Sequence, residues 1–393
     1  MVQKEQPMME PSWADLSSAW VWASPNAATQ CEAVVDLLLE EVATRTWVHW
    51  KRSLSFPRYS SPIVMLALYD DAHSEPLLQR ARESLLKQPE AFAICSEIRS
   101  GVPRIAVVGF DRRGLLFGVG RLLRALQFTR DNVRILLPLH TSEKPRFPIR
   151  HHQLGYRPKV NTYDGWTPAH YERYIRELAV FGTNGIHMIP PRSDDEPDSP
   201  LFTVPPMEML TRVSAAVDRY DLDFWLWYPA MDSDYGNPDV VAASLHEWGE
   251  VFRALPRLNG ILVPGGDPGD TPPALLCNLV ARQAEQLRRI HPSAQVWLTP
   301  QGFNAEDLTA FLDILPSLDW LTGVAFGPQV RIGLPELRQA VPDRFPLLRY
   351  DDLTHSMRCQ YPVPEWDPAF ALTENRECIN PRPNGYAAIF RRW

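Results

Sequence analysis

Beyond Pro148 the sequence repeats one pattern: a short apolar run, then a longer amphipathic one. "IRHHQLGY" leads into "TPAHYERYIRELAVFG", "NGIHMIPP" into "PPMEMLTRVSAAVDRYDL", and "DFWLWYP" into "PDVVAASLHEWGEVFRAL". "GILVPGG" leads into "PPALLCNLVARQAEQLRRI", "QVWLTPQG" into "AEDLTAFLDIL", and "LTGVAFGPQ" into "LPELRQAV", with "FPLLRYDD" as a seventh apolar run. The short runs read as strands; the long ones place apolar residues at helical spacing. Strands separated by helices run parallel, and so many units favour a (β/α)8 barrel. An open doubly wound sheet is the rival architecture. No G-x-G-x-x-G follows the first strand, so a dinucleotide site gets little support. The eighth unit is not legible: "DPAFALTENRECINPRPNGYAAIFRRW" yields a short helix and a loop but no assignable closing strand.

The preceding residues mix periods. Glu32–Arg45 has helical spacing, while "SPIVMLALYD", "FAICSEI" and "RIAVVGF" read as strands. "DRRGLLFGVGRLLRAL" reads as a helix capped by Asp111, with Gly114, Gly118 and Gly120 allowing close packing on a sheet. "HTSEKPRFP" is a polar, proline-bearing linker. The expected organisation is therefore α/β: a small N-terminal α/β sandwich module over residues 1–147, then a (β/α)8-type TIM barrel over 148–393, incomplete at its C-terminal end as far as the sequence reads.

Composition narrows the function. A net charge of −7 with interleaved signs argues against nucleic acid. No run reaches the ~18 apolar residues of a membrane helix. "MVQKEQPMMEPSW" has no apolar signal-peptide core, so a cytoplasmic location is expected. The five cysteines are scattered and never in a C-x-x-C pair, which suggests free thiols.

In a barrel the C-terminal strand ends form the active face. Those ends carry carboxylates, amides and large rings, a mixture that suits a sugar, apolar on one face and hydroxylated at its edge. The expected ligand-binding residues are Tyr156, Arg157, Trp166, Asp194, Trp227, Tyr228, Asp232, Gln301, Gln329, His355 and Tyr361. Several have plainer readings. Asp194 lies in a solvated acidic loop, and Asp232 and Asp234 suit turns that bond their own backbone. Asp270 reads as a cap for the helix after Pro272, and His187 as a core histidine. Asp267 is different. It follows a strand directly, and Gly265, Gly266 and Gly269 strip bulk from around it. With Asp352 from the seventh strand end it makes the carboxylate pair that glycoside cleavage needs, one group giving a proton and the other attacking or activating water.

The run "VVGFDRRGLLFGVGRLLRAL" resembles the module that precedes the barrel in the alpha-glucuronidases, beta-N-acetylhexosaminidases and alpha-N-acetylglucosaminidases. "FPIRHHQLGYRPKVNTYDGWTPAHYERYIRELAVFGTNGIHMIPP" is similar to their barrel entry, and "ILVPGGDPGDTPP" to the alpha-glucuronidase strand-four segment. The resemblance implies a glycoside hydrolase with its general acid at strand four. Here Asp267 precedes Pro268, where the alpha-glucuronidases carry a glutamate and the hexosaminidases an Asp-Glu pair. "FGPQVRIG" offers Gln329 and Arg331 in place of an acid at strand six, while "YDDLTHS" retains Asp351 and Asp352. A glycosidase without metal or cofactor is expected, with a carbohydrate as its partner and no oligomeric state implied. A non-catalytic carbohydrate-binding barrel is the second reading. A metal-dependent barrel enzyme is the third, weakened by the lack of H-x-H after strand one.

Overall fold

The computed structural model describes residues 11–56, 60–73, 75–156, 162–193, 198–327 and 329–350. Two units separate within it: Met1–Arg150 with Arg173–Asn184 and Arg219–Leu222, and His151–Glu172 with Gly185–Asp218 and Asp223–Trp393.

The first unit contains β1 (Ser12–Asp15), β2 (Trp20–Ala23), α1 (Pro25–Gln30), α2 (Glu32–Thr46), β3 (Lys51–Ser53), β4 (Ile63–Leu68) and α3 (Pro76–Ser84). It continues with β5 (Phe92–Arg99), β6 (Val102–Gly109), α4 (Arg112–Ala125), β7 (Leu126–Thr129), β8 (Asn132–Leu137) and β9 (Thr141–Glu143). One sheet has the order β3-β2-β4-β6-β5-β9 and a second the order β1-β8-β7. The helix after β6 forms as its sequence demands. Asp111 caps α4 by accepting from the Gly114 amide at 2.7 Å. A Cβ at Gly118 would stand 2.7 Å from Val107, so only glycine lets α4 lie this close to β6. Gly120 serves a different contact, against the Val180 backbone, rather than the sheet. Arg104 on β6 is buried, and its charge is met by Glu75 at 2.7 Å and Glu97 at 3.0 Å.

The second unit follows the alternation. Its elements are β10 (His151–Gln153), the start of α5 (Pro168–Val180, of which Arg173 onward belongs to the first unit), β11 (Gly185–Met188), α6 (Pro206–Arg219, all but its last residue), β12 (Asp223–Trp227), α7 (Pro238–Ala254) and β13 (Gly260–Pro264). Then come α8 (Pro273–Ile290), β14 (Gln295–Thr299), α9 (Ala305–Ile314), β15 (Gly323–Phe326), α10 (Leu334–Ala340) and β16 (Leu347–Arg349). The seven strands lie side by side in chain order, and every neighbouring pair is parallel. A doubly wound sheet would reverse its order at a switch point. This one never does.

The sheet curls. Tyr350, just past the seventh strand, donates its hydroxyl hydrogen to Gln153 Oε1 on the first and lays its ring parallel to His187 on the second, centroids 6.2 Å apart. The interior between them is filled by pairing large rings with glycines. A Cβ at Gly260 would stand 2.8 Å from the Trp225 indole, and one at Gly323 would stand 2.3 Å from Trp297. Those glycines lie directly across the ladder from Trp225 and Trp297. Two histidines complete the layer. His151 Nδ1 and His187 Nε2 are 2.9 Å apart, and His187 stacks on Trp225 with centroids 5.1 Å apart. Burial, with the neighbouring His151 and His152, pushes the His187 imidazole well below the usual histidine range. His187 is thus a core residue, although its Nδ1 has no hydrogen-bond partner among the described residues.

The described part of the strand-helix series is a curled seven-stranded parallel half-barrel with helices between its strands, an incomplete TIM-like barrel in a chain that also carries an N-terminal α/β module. Asp352, His355 and Tyr361 lie outside the described residues, as do Arg157 and Asp194.

Candidate active site at the strand ends

All five residues of β13 are buried, as an inner strand of a parallel sheet requires. The chain leaves it through Gly265 and Gly266, and both glycines are needed for space. A Cβ at Gly265 would stand 2.7 Å from the Phe303 ring; one at Gly266 would stand 3.1 Å from the Gly302 backbone. The Gly266 amide donates to the Gln301 carbonyl at 2.8 Å, tying the β13 loop to the β14 loop. Asp267 emerges there, partly exposed, and its Oδ2 accepts from Gln301 Nε2 at 2.5 Å. Gly302 takes φ +79°, and a Cβ on it would stand 2.9 Å from the Asp267 amide nitrogen. The carboxylate therefore stands in a seat of backbone, held by the Gln301 side-chain amide.

Gln301 is buried, and its Oε1 has no hydrogen-bond partner among the described residues. Thr299, the last residue of β14, is fully buried and its hydroxyl is likewise unpartnered among the described residues. Alternation along β14 puts Thr299 on the face of Trp297, toward the ring interior. A Cβ at Gly327 would stand 3.6 Å from the Thr299 hydroxyl and 3.2 Å from the Tyr350 ring, so Gly327 lies between the sixth- and seventh-strand sides of this corner. Neither Thr299 nor Tyr350 was singled out from the sequence as a site residue. A threonine ending a strand looks like ordinary β-propensity.

The structure sorts the other expected residues. Trp227 is buried at the last position of β12, opposite in parity to Tyr228. Tyr228 turns to the helix layer: its ring stacks on Trp248 at 3.5 Å and meets Phe252 edge-on. Burial and the nearby Glu247 raise the Tyr228 phenol well above its ordinary range. The Asp232 carboxylate is taken by Arg192, which also reaches Glu247, and by Tyr235. Asp234 bonds the Gly236 amide, the turn role its sequence allowed. Tyr156 is spent on structure. Its hydroxyl donates to the Val204 carbonyl at 2.8 Å, and its ring stacks on Phe202. Trp166 packs among Tyr163, His170 and Tyr171 while half-exposed. Gln329, exposed at φ +55°, meets the Gly302 amide through its backbone carbonyl. Asp270 does not cap α8. The helix starts after Pro272 with no side-chain cap, and the Asp270 amide instead closes a turn onto Gly266.

The sequence matches no protein-family model, and no curated protein matches it by sequence. Solved structures do share its fold. CpGH84B superposes with a TM-score of 0.59 at 12% identity, covering 86% of this chain and 59% of its own. A GH138 enzyme targeting pectin rhamnogalacturonan II gives 0.54 at 12% identity, covering 79% of this chain and 48% of its own. The GH20 exo-beta-N-acetylglucosaminidase of Vibrio harveyi gives 0.51 at 12% identity, covering 92% and 65%. This chain thus spans about half to two thirds of the length of these structures. The expectation of a glycoside-hydrolase-like fold holds at the level of architecture, and the narrower likeness to alpha-glucuronidases has no counterpart among these neighbours: the chain has the fold that these glycoside hydrolases share.

Proposed function

We propose that this protein is a glycosidase that cleaves glycosidic bonds in a glycan or oligosaccharide. One observation carries the reading: the Asp267 carboxylate stands at the C-terminal end of an inner barrel strand, seated by Gly265, Gly266 and Gly302 and held by Gln301. Strand ends are where barrel enzymes place their chemistry. The fold shared with glycoside hydrolases supports the same reading.

A donor on a carboxylate oxygen favours the ionised form. Asp267 therefore acts as the charged member of the pair, attacking the anomeric carbon, activating water, or stabilising the positive charge that develops there. Asp352 is the proton donor in this reading. Trp227 and Trp166 offer apolar faces to the sugar ring, and Arg157, Asp194, Gln329, His355 and Tyr361 complete the proposed set. Tyr156, Tyr228 and Asp232 already have structural partners and act by shaping the walls.

Incubating the full chain with a panel of nitrophenyl glycosides, neutral and acidic, tests this directly. Release of nitrophenol from at least one, abolished by a matching deoxynojirimycin-type inhibitor, is the expected result. No turnover across the panel, together with measurable sugar binding, would replace hydrolysis with carbohydrate binding alone.

A further inference from the structure

The first unit carries an open cleft of about 730 Å³, inside the ~300–1,000 Å³ range of small-ligand sites. It begins where the antiparallel ladder of β5 and β9 ends, at the Phe92–Glu143 pair. Beyond that pair the chain continues as residues 88–91 on one side and 144–148 on the other. Pro89, Pro145 and Pro148 line the gap, and none has an N–H with which to extend the ladder.

The charges around the cleft are unbalanced. Glu90, buried at φ +65°, is the acid that lines it. Its carboxylate is countered twice, by Arg150 at 2.8 Å and Arg113 at 3.3 Å. Lys144 and Arg146 stand exposed on the opposite side, with Pro145 between them. The neighbouring acids are engaged elsewhere: Glu143 meets Arg121 at 3.1 Å, and Asp111 accepts from the Glu90 and Gly114 amides. The cleft is therefore cationic in a chain whose net charge is −7.

We propose that this cleft is an accessory binding site for an acidic saccharide, one whose sugar ring bears a carboxylate. The sign of the ligand follows from the charges; the choice of a saccharide rests on the glycosidase reading. The sugar carboxylate meets the planar Arg146 guanidinium and the Lys144 ammonium. The C–H face of the ring lies on the proline walls, and the Gln88 amide, also in the lining, meets a ring hydroxyl. The cleft holds the glycan and does not cleave it. Cleavage needs paired carboxylates, and Glu90, the one acid in the lining, is already matched by two guanidinium groups.

The test pairs ligand and protein changes. Fluorescently end-labelled tetragalacturonate and cellotetraose are titrated into the full chain by anisotropy, at low and high salt. The same titrations are run on the double variant Lys144→Ala with Arg146→Ala. Tetragalacturonate should bind and cellotetraose should not, and salt should weaken the binding. The double variant should bind tetragalacturonate about tenfold more weakly. Its melting temperature and its turnover of nitrophenyl glycosides should match wild type, because both side chains are exposed. Hydrogen exchange should slow on binding in peptides covering residues 86–92 and 141–150. Equal binding of cellotetraose, an unchanged affinity in the double variant, or protection confined to other segments would overturn the site. Labelled tetraglutamate binding as tightly would make the cleft a peptide groove, and displacement by equimolar sulfate would make it a plain anion patch; either overturns the saccharide assignment. Turnover of a glycoside without this binding would remove the cleft and leave the hydrolase reading standing. Binding at the cleft without turnover of any glycoside would do the reverse.

Discussion

Gln301 Nε2 and Asp267 Oδ2 lie 2.5 Å apart, joining the loop after the fourth barrel strand to the loop after the fifth. The bond orients the carboxylate. An amide donor favours the ionised form, whereas a second acid would oppose it.

Gln301→Glu turns that donor into a competitor. Two carboxylates at hydrogen-bonding distance cannot both ionise freely, so one proton is shared between them. The acidic limb of the pH profile of kcat/KM should move upward by about one unit or more. An unmoved limb would separate the Gln301 contact from the ionisation that matters.

Gly302→Ala attacks the seat instead of the charge. At φ +79° an alanine costs roughly 1–2 kcal/mol, and its Cβ would press on the Asp267 amide nitrogen at 2.9 Å. Urea unfolding should show a loss of about that size or more, and kcat/KM should fall with it. Unchanged turnover would mean that the loop absorbs the push without moving Asp267.

Acid should loosen the barrel through its interior histidines. His187 titrates well below its ordinary value in the folded protein because burial and the neighbouring His151 and His152 oppose its charge; burial also lowers His152. The unfolded chain takes up these protons first. Their contribution is therefore complete above about pH 6.5 and is lost as pH falls below it, by at most about 1.4 kcal/mol per pH unit per histidine. Besides these histidines, Asp223 and Tyr350 face the pair. Denaturant unfolding at pH 7.5, 6.5 and 5.5 should show the fall, and His187→Phe should flatten it. A slope unaffected by that substitution would assign the effect to other groups.

In the N-terminal module, Arg104→Met should cost about 3–5 kcal/mol, because it leaves the buried Glu75 carboxylate with only the more distant, half-exposed Arg99 at 4.0 Å. Adding Glu75→Gln should recover part of that loss. Thermal unfolding of the single and double variants decides it, and equal melting temperatures for wild type and Arg104→Met would contradict the buried-pair account.

The sequence carried the barrel strands well because each is a short apolar run near proline or glycine, and several are followed by a capped helix. Asn237 and Asn304, for instance, do cap α7 and α9. The N-terminal module was less readable. β7 continues directly from α4, so Leu126 looked like the end of a helix, and the short strands β1, β2, β3 and β9 carry too few residues to show a period. At the site, Asp267 stood out because glycines surround it locally. The ion pair of Asp232 was not legible, because its partner, Arg192, lies forty residues away in the chain. Trp227 and Tyr228 look alike in sequence, yet strand parity sends one of them to the helix layer. Thr299, Gly327 and Tyr350 meet only once the sheet has curled, and no local pattern announces that.

The most direct test is the rate of glycoside hydrolysis by Asp267→Asn, measured beside wild type with folding verified by the melting temperature. Asparagine keeps the shape and removes the charge. A fall in kcat of about a hundredfold or more, with the melting temperature held, is the predicted result. Turnover equal to wild type would contradict the account.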